Sequence, residues 1–155
     1  MRYWLMKSEP DVFGIEHLAK APKRTVSWGG VRNYQVRNML RDEINADDLA
    51  FFYHSSCPEP GVVGVMRVTR GAHPDATQFD PKDEYFDPKS TRAKPLWYAV
   101  DVSLEERFKN PVFLQELRGS AALKDLQTLR RGNRLSITSV TPAEWKAIIA
   151  LAHRK

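Results

Sequence analysis

Apolar and polar positions change period several times along the chain, and each change marks an element. In "RYWLMK" (2–7) the period is two, with Tyr3 and Leu5 on one face and Trp4 and Met6 on the other. This predicts a first strand covered on both faces. In "PDVFGIEHLAKAP" (10–22) Val12, Ile15, Leu18 and Ala19 form the stripe of a short helix that Pro22 ends. Val36, Met39, Leu40 and Ile44 recur at three- and four-residue spacing, with Arg37 and Arg41 on another side. A loop, "SWGG" (27–30), therefore feeds an amphipathic helix that starts near Asn33 and stops before "NADD" (45–48). "LAFFYHS" (49–55) and "GVVGVMRVTR" (61–70) read as partner strands. The "CPEPG" (57–61) between them is too rigid for a plain two-residue hairpin.

Residues 71–95 hold four of the ten prolines and predict a long excursion with at most one helical turn; segments of this length are often functional or partly mobile. A strand, "LWYAVDVSL" (96–104), follows. "PVFLQELRG" (111–119) reads as a helix opened by Pro111 and closed by Gly119, and "LKDLQTL" (123–129) as a helix or turn. A last strand, "NRLSITSV" (133–140), precedes the clearest local signal. Thr141 at the N-cap, Pro142 at N1 and Glu144 at N3 open a terminal helix whose Trp145, Ile148, Ile149 and Ala152 face inward. At least five strands separated by short helices, without regular strand-helix alternation, suggest a small mixed barrel with peripheral helices. Periodicity alone does not separate a closed barrel from an open α+β sheet.

The 155 residues suit one domain, taken as 1–155. There is no apolar run long enough to span a membrane and no signal-peptide pattern, so no membrane partner and a cytoplasmic location are expected. Cys57 is the only cysteine, which excludes an internal disulfide and a thiolate zinc cluster; no metal and no cofactor are expected. Nucleotide glycine fingerprints and phosphate loops are absent. Charge matters mainly through its distribution. Residues 111–155 carry 8 Lys and Arg against 3 Asp and Glu, which accounts for the whole net charge of +5. A polyanion and a plain solvated face both explain this. No feature fixes the oligomeric state, and a monomer is favoured.

The stretches "MKSEPDVF" (6–13), "WGGVRNYQVRNML" (28–40), "FFYHSSCPEPGVVGV" (51–65), "HPD" (73–75), "YFDP" (85–88), "PLWYAVDV" (95–102) and "RLSITSVT" (134–141) together resemble the EVE domain family, in that family's order and over almost the whole chain. EVE domains are similar to PUA and YTH domains. The resemblance implies a PUA-like pseudo-barrel of five or six mainly antiparallel strands with peripheral helices. It also implies DNA or RNA carrying a modified base as partner, with the base flipped into an aromatic-lined pocket. Carried onto this sequence, it places Lys7, Ser8 and Glu9 beside the pocket and Trp28, Gly29 and Gly30 on its rim. Arg32, Asn33, Tyr34 and Gln35 then start the adjacent helix, His54 and Ser55 end the aromatic strand, and Trp97 completes the set. Ser56 stands where family members frequently carry Asn.

The residue chemistry fits that picture. A modified base presents two π faces and a polar edge, so a selective pocket needs aromatic walls and a few fixed hydrogen-bond groups. Trp28 is the preferred wall, with fold core as its alternative. Trp97 is core or a second wall, and Tyr34 lies against the ribose or packs on the barrel. Ser8, Ser55 and Asn33 can read exocyclic groups, while Arg32 and Lys7 suit flanking phosphates. Arg130, Arg131 and Arg134 are expected on the phosphate backbone beside the pocket. Glu9 accepts from a base or caps a helix. His54 reads as a scaffold or ligand contact; the alternative is an enzyme acting on RNA or a modified nucleobase, with His54 paired to Glu9 or Lys7. A third class, an adaptor whose basic tail binds protein acids, leaves "WGGVRNY" and "HSSC" without a role. Nonenzymatic binding of nucleic acid leads.

Overall fold

A computed structural model describes residues 1–154. Its six strands are β1 (Tyr3–Ser8), β2 (Thr25–Trp28), β3 (Leu49–His54), β4 (Gly61–Pro74), β5 (Tyr98–Phe113) and β6 (Ile137–Val140). They form one sheet in the order β2-β5-β4-β3-β1-β6. Five helices surround it: α1 (Pro10–Phe13), α2 (Ile15–Lys20), α3 (Tyr34–Asp42), α4 (Leu114–Arg118) and α5 (Pro142–Ala152).

The period-two pattern of β1 has the expected consequence. Trp4 and Met6 join Phe52, Met66 and Val68 on one face, under Ile15 and Leu18 of α2 and Val36 and Leu40 of α3. Tyr3 and Leu5 point the other way, toward Phe51, Val65, Leu117 of α4, and Trp145 and Ile148 of α5. There Trp145 stacks between Phe51 (ring centroids 3.9 Å apart) and Tyr3 (4.6 Å).

The expected pseudo-barrel is not what forms. Four of the five strand pairings are antiparallel and β1–β3 is parallel, but β2 and β6 are free edges and no ladder joins them among the described residues. A barrel has one interior, filled by alternate side chains of each strand. Here both side-chain sets of β1 and β3 are buried, each under its own helices, so the sheet is an open middle layer. Alternation along a strand looks the same in either case, which is why the pattern did not exclude closure.

Two boundaries also differ. The 96–104 strand runs on to Phe113 and takes in Pro111, which had been read as a helix opener. β2 covers β5 only along 100–103, so Pro111 lies where that edge of β5 has no strand needing its N–H. The 71–95 excursion is pinned rather than loose. The fully buried Gln78 donates to the carbonyls of Asp75 and Trp97 and accepts from the N–H groups of Leu96 and Trp97, closing the loop on itself.

The terminal helix is capped as the sequence indicates: Glu144 N–H donates to Thr141 Oγ1 and Thr141 N–H to Glu144 Oε1. Thr141→Ala is expected to cost about 1 kcal/mol, read as a lowered denaturant midpoint with unchanged slope.

Candidate functional site

The parallel register of β1 and β3 sets Ser8 beside His54, and Ser55 N–H donates to the Ser8 carbonyl. The α1–α2 corner covers this strand end. Ser8 Oγ donates to the Phe13 carbonyl at 2.6 Å, and His54 Nε2 accepts the Ile15 N–H at 3.1 Å. A ring nitrogen that accepts carries no proton, so His54 is neutral with its hydrogen on Nδ1. Burial lowers its pKa in the same direction, against the opposing charge of Glu16. Trp28, at the end of β2, meets Phe52 and Phe13 edge-on, at 5.4 and 6.2 Å between ring centroids. Ser8, Phe13, Trp28, Phe52 and His54 thus form one cluster.

Trp28 is only 7% exposed and belongs to the apolar core of that face. Its indole nevertheless differs from those of Trp4 and Trp97. Those two donate to Asp48 and Asp87, whereas the Nε1 atoms of Trp28 and of Trp145, in the other core, make no hydrogen bond among the described residues. The following glycines serve the fold directly. A Cβ on Gly29 would stand 2.7 Å from Asp75 Oδ2, and Gly30 has φ +72 with Tyr85 2.9 Å from where its Cβ would be.

Arg32 is the hub of the adjoining region. Its guanidinium donates to Tyr85 O twice, to Val31 O, to Thr77 Oγ1 and to Asp75 Oδ2 at 3.2 Å. All five donors are spent, leaving none for a phosphate. Arg32 also lies 5.2 Å from the Trp97 ring centroid, and Tyr34 stacks on that ring at 4.8 Å. Trp97 is thereby buried, while Tyr34 keeps 54% of its surface exposed. Asn33 caps α3 by accepting the Val36 N–H on Oδ1; its side-chain amide stays free to donate. Gln35 is exposed in the first turn.

Two expected neighbours are held apart. Lys7 alternates to the opposite face from Ser8, where its ammonium lies over Tyr53 and burial lowers its pKa. Glu9 is exposed and its side chain caps nothing. No acid-base pair of His54 with Lys7 or Glu9 is assembled. No group of three or more His, Cys, Asp or Glu placed to hold a metal occurs among the described residues.

Arg130, Arg131 and Arg134 are exposed on the turn before β6. They make no ion pair among the described residues, although six other arginines do. Two grooves of about 350 and 440 Å³ open between this turn and α3, sharing Gln35, Arg130, Asn133 and Leu135; neither reaches Ser8, Trp28 or His54.

Residues 2–151 match the model of the EVE domain. The chain belongs to the EVE domain family. Thymocyte nuclear protein 1 of Danio rerio is 41% identical over 165 residues, covering 96% of this chain and 71% of that protein. Among solved structures, a protein from Pseudomonas putida is 48% identical with TM-score 0.91, over 97% of this chain and 99% of that one. The human THYN1 protein in complex with DNA containing 5-methylcytosine is 38% identical with TM-score 0.93, over 100% and 99%.

Within this EVE domain, Ser56 has φ 53, a left-handed conformation that Asn adopts more readily than Ser. Asp75 in "HPD" and Tyr85 and Asp87 in "YFDP" hold Arg32 and Trp97, roles that their residue types and spacing do not show. The acids inside a proline-rich loop were the available signal.

Burial works to raise the pKa of Asp75, but hydrogen bonds from the Thr77 hydroxyl, the Gly30 and Thr77 N–H groups and Arg32 outweigh it and hold the carboxyl below its ordinary value. A depressed carboxylate pKa stabilises the fold at neutral pH. That contribution is present above the ordinary carboxylate pKa and is lost as pH falls through the lower folded-state one. Asp75→Asn is expected to cost about 1.5–3 kcal/mol at neutral pH and to flatten the acid limb of stability against pH, measured by denaturant titration.

Proposed function

We propose that this EVE domain is a nonenzymatic reader of DNA carrying a modified base, with cytosine methylated at C5 as the favoured target. The observation that carries the reading is the whole-length likeness to a human protein solved with DNA containing 5-methylcytosine. The strand-end cluster supports it. Trp28 offers an unpartnered indole N–H within an aromatic group, the Ser55 and Asn33 side chains lie nearby in sequence, and Tyr34 stays half exposed with Trp97 stacked on its ring and Arg37 5.0 Å from its centroid. Such a combination suits a base with π faces and a polar edge. The neutral His54, whose acceptor nitrogen is already engaged by Ile15, acts as scaffold in this reading. Arg130, Arg131 and Arg134 contact flanking phosphates.

Anisotropy titrations of matched oligonucleotides test this at fixed salt. DNA with one 5-methylcytosine is expected to bind about tenfold or more tighter than DNA with cytosine, the range a single methyl group can supply, and to be recovered chemically unchanged. Trp28→Phe keeps an aromatic ring in the core but removes the N–H; it should weaken binding of the methylated DNA about fivefold. Equal affinity for both oligonucleotides, or a mass change in the recovered DNA, overturns the proposal.

Replacing Arg130, Arg131 and Arg134 together by Ala should weaken methylated and unmethylated DNA by the same factor. The slope of log K against log salt should fall by up to about 0.7–0.9 for each phosphate contact removed. An unchanged slope takes these arginines off the binding surface.

A further inference from the structure

We propose that the groove between α3 and the 127–135 turn is a second nucleotide site. It takes the nucleotide next to the modified one, so that the domain senses sequence context as well as modification. The inference rests on the reading of the domain as a nucleic-acid binder and adds a subsite to it.

The groove has the size of a small-ligand site, about 350 Å³, and Gln35, Gln127, Arg130 and Ser139 line it. None of these four side chains makes a hydrogen bond among the described residues. Two other amides, one of them in the groove itself, are committed to the fold. Gln78 spends all its hydrogen-bonding groups inside the fold, and Asn133, on the groove's own wall, donates to Gln127 O and accepts from Leu135 N–H. The groove thus combines a fixed wall with an unspent set of two carboxamides, one hydroxyl and one guanidinium. Carboxamides and hydroxyls both donate and accept, as the edge of a nucleobase requires, and the guanidinium matches a phosphate. Glu43, the one acid in the lining, is held by Arg2 at 3.4 Å.

Continuity with the strand-end cluster argues for an adjacent nucleotide rather than a free metabolite. Lys7 N–H donates to Ser136 O at 2.8 Å, so the chain from Arg134 to Ser136 runs alongside the end of β1 that carries Ser8. On the other wall, Gln35 directly follows Tyr34 at the start of α3. A strand entering at Ser8 and His54 passes Arg134 with its phosphate and sets its next base between Gln35 and Ser139.

Short single-stranded DNA with a central 5-methylcytosine provides the test, compared with versions carrying an abasic residue immediately 5′ or 3′ of it. For the unsubstituted protein, one of the two abasic oligonucleotides is expected to bind about fivefold more weakly than the intact one. The doubly substituted Gln127→Ala, Ser139→Ala protein should bind the intact oligonucleotide about fivefold more weakly. It should keep the preference for methylated over unmethylated DNA and show no further abasic penalty, the signature of an energetic coupling between groove and base. Wild-type affinity for both abasic oligonucleotides overturns the subsite, and that arm needs no variant to fold. A methyl preference that persists without an abasic penalty removes the groove alone. An abasic penalty without a methyl preference removes the modified-base reading and leaves the groove.

Discussion

The arrangement of the site depends on one ion pair. Arg32 and Asp75 come from segments 43 residues apart, and their contact joins the loop after β2 to the excursion between β4 and β5. Each partner is saturated: Arg32 by two carbonyls of other residues, a hydroxyl and the carboxylate, Asp75 by Arg32, Gly30 and Thr77. Their burial makes this completeness necessary, because a half-satisfied charge in such surroundings costs several kcal/mol. The neighbouring choices follow from it. Asp75 Oδ2 and the Tyr85 ring occupy the space that side chains on Gly29 and Gly30 would take. Arg32 forms one side of Trp97, and Tyr34 stacks on that ring.

Where each polar group spends its hydrogen bonds separates scaffold from candidate contact. Asp48 ties together the Trp4 indole and the N–H groups of Arg2 and Asn45; Gln78 closes the long excursion; His54 holds the start of α2. These groups are committed to the fold. The Trp28 indole N–H, the Asn33 amide, and the side chains of Gln35, Gln127, Ser139 and Arg130 are not. Asn33 and Gln35 lie at the start of α3, and Gln35, Gln127, Ser139 and Arg130 line the groove beside the arginine turn. A desolvated donor without a partner is costly, so unspent groups gather where water or a ligand can reach them.

The open sheet is buried on both faces. β1 lies next to the β6 edge, with parallel β3 on its other side, so its end meets both the aromatic strand end and the segment leading out of the arginine turn. Helices α2 and α3 cover one face and α4 and α5 the other, leaving the strand ends as the place where several loops converge.

Local features were legible in the sequence because local physics sets them. The two-faced alternation of β1, the stripe of α3 and the Thr141–Glu144 cap each depend on residues within one or two turns of one another, and all three form as read. The family landmarks likewise marked the segments that meet at the strand ends. Closure of the sheet was not legible, since alternate burial is the same in a barrel and in a two-faced layer. Nor was the fate of Arg32, whose residue type suits a phosphate but four of whose five donor hydrogens are taken by partners 43 to 53 residues away. The burial of Trp28 turned on Phe13 and Phe52, on two other elements. Sequence by itself determined most of the elements, though not β2 or the C-terminal reach of β5, and the inventory of chemical groups. Only tertiary structure decided which of those groups were already spent, because a hydrogen bond or a ring contact between distant segments leaves no period in the chain.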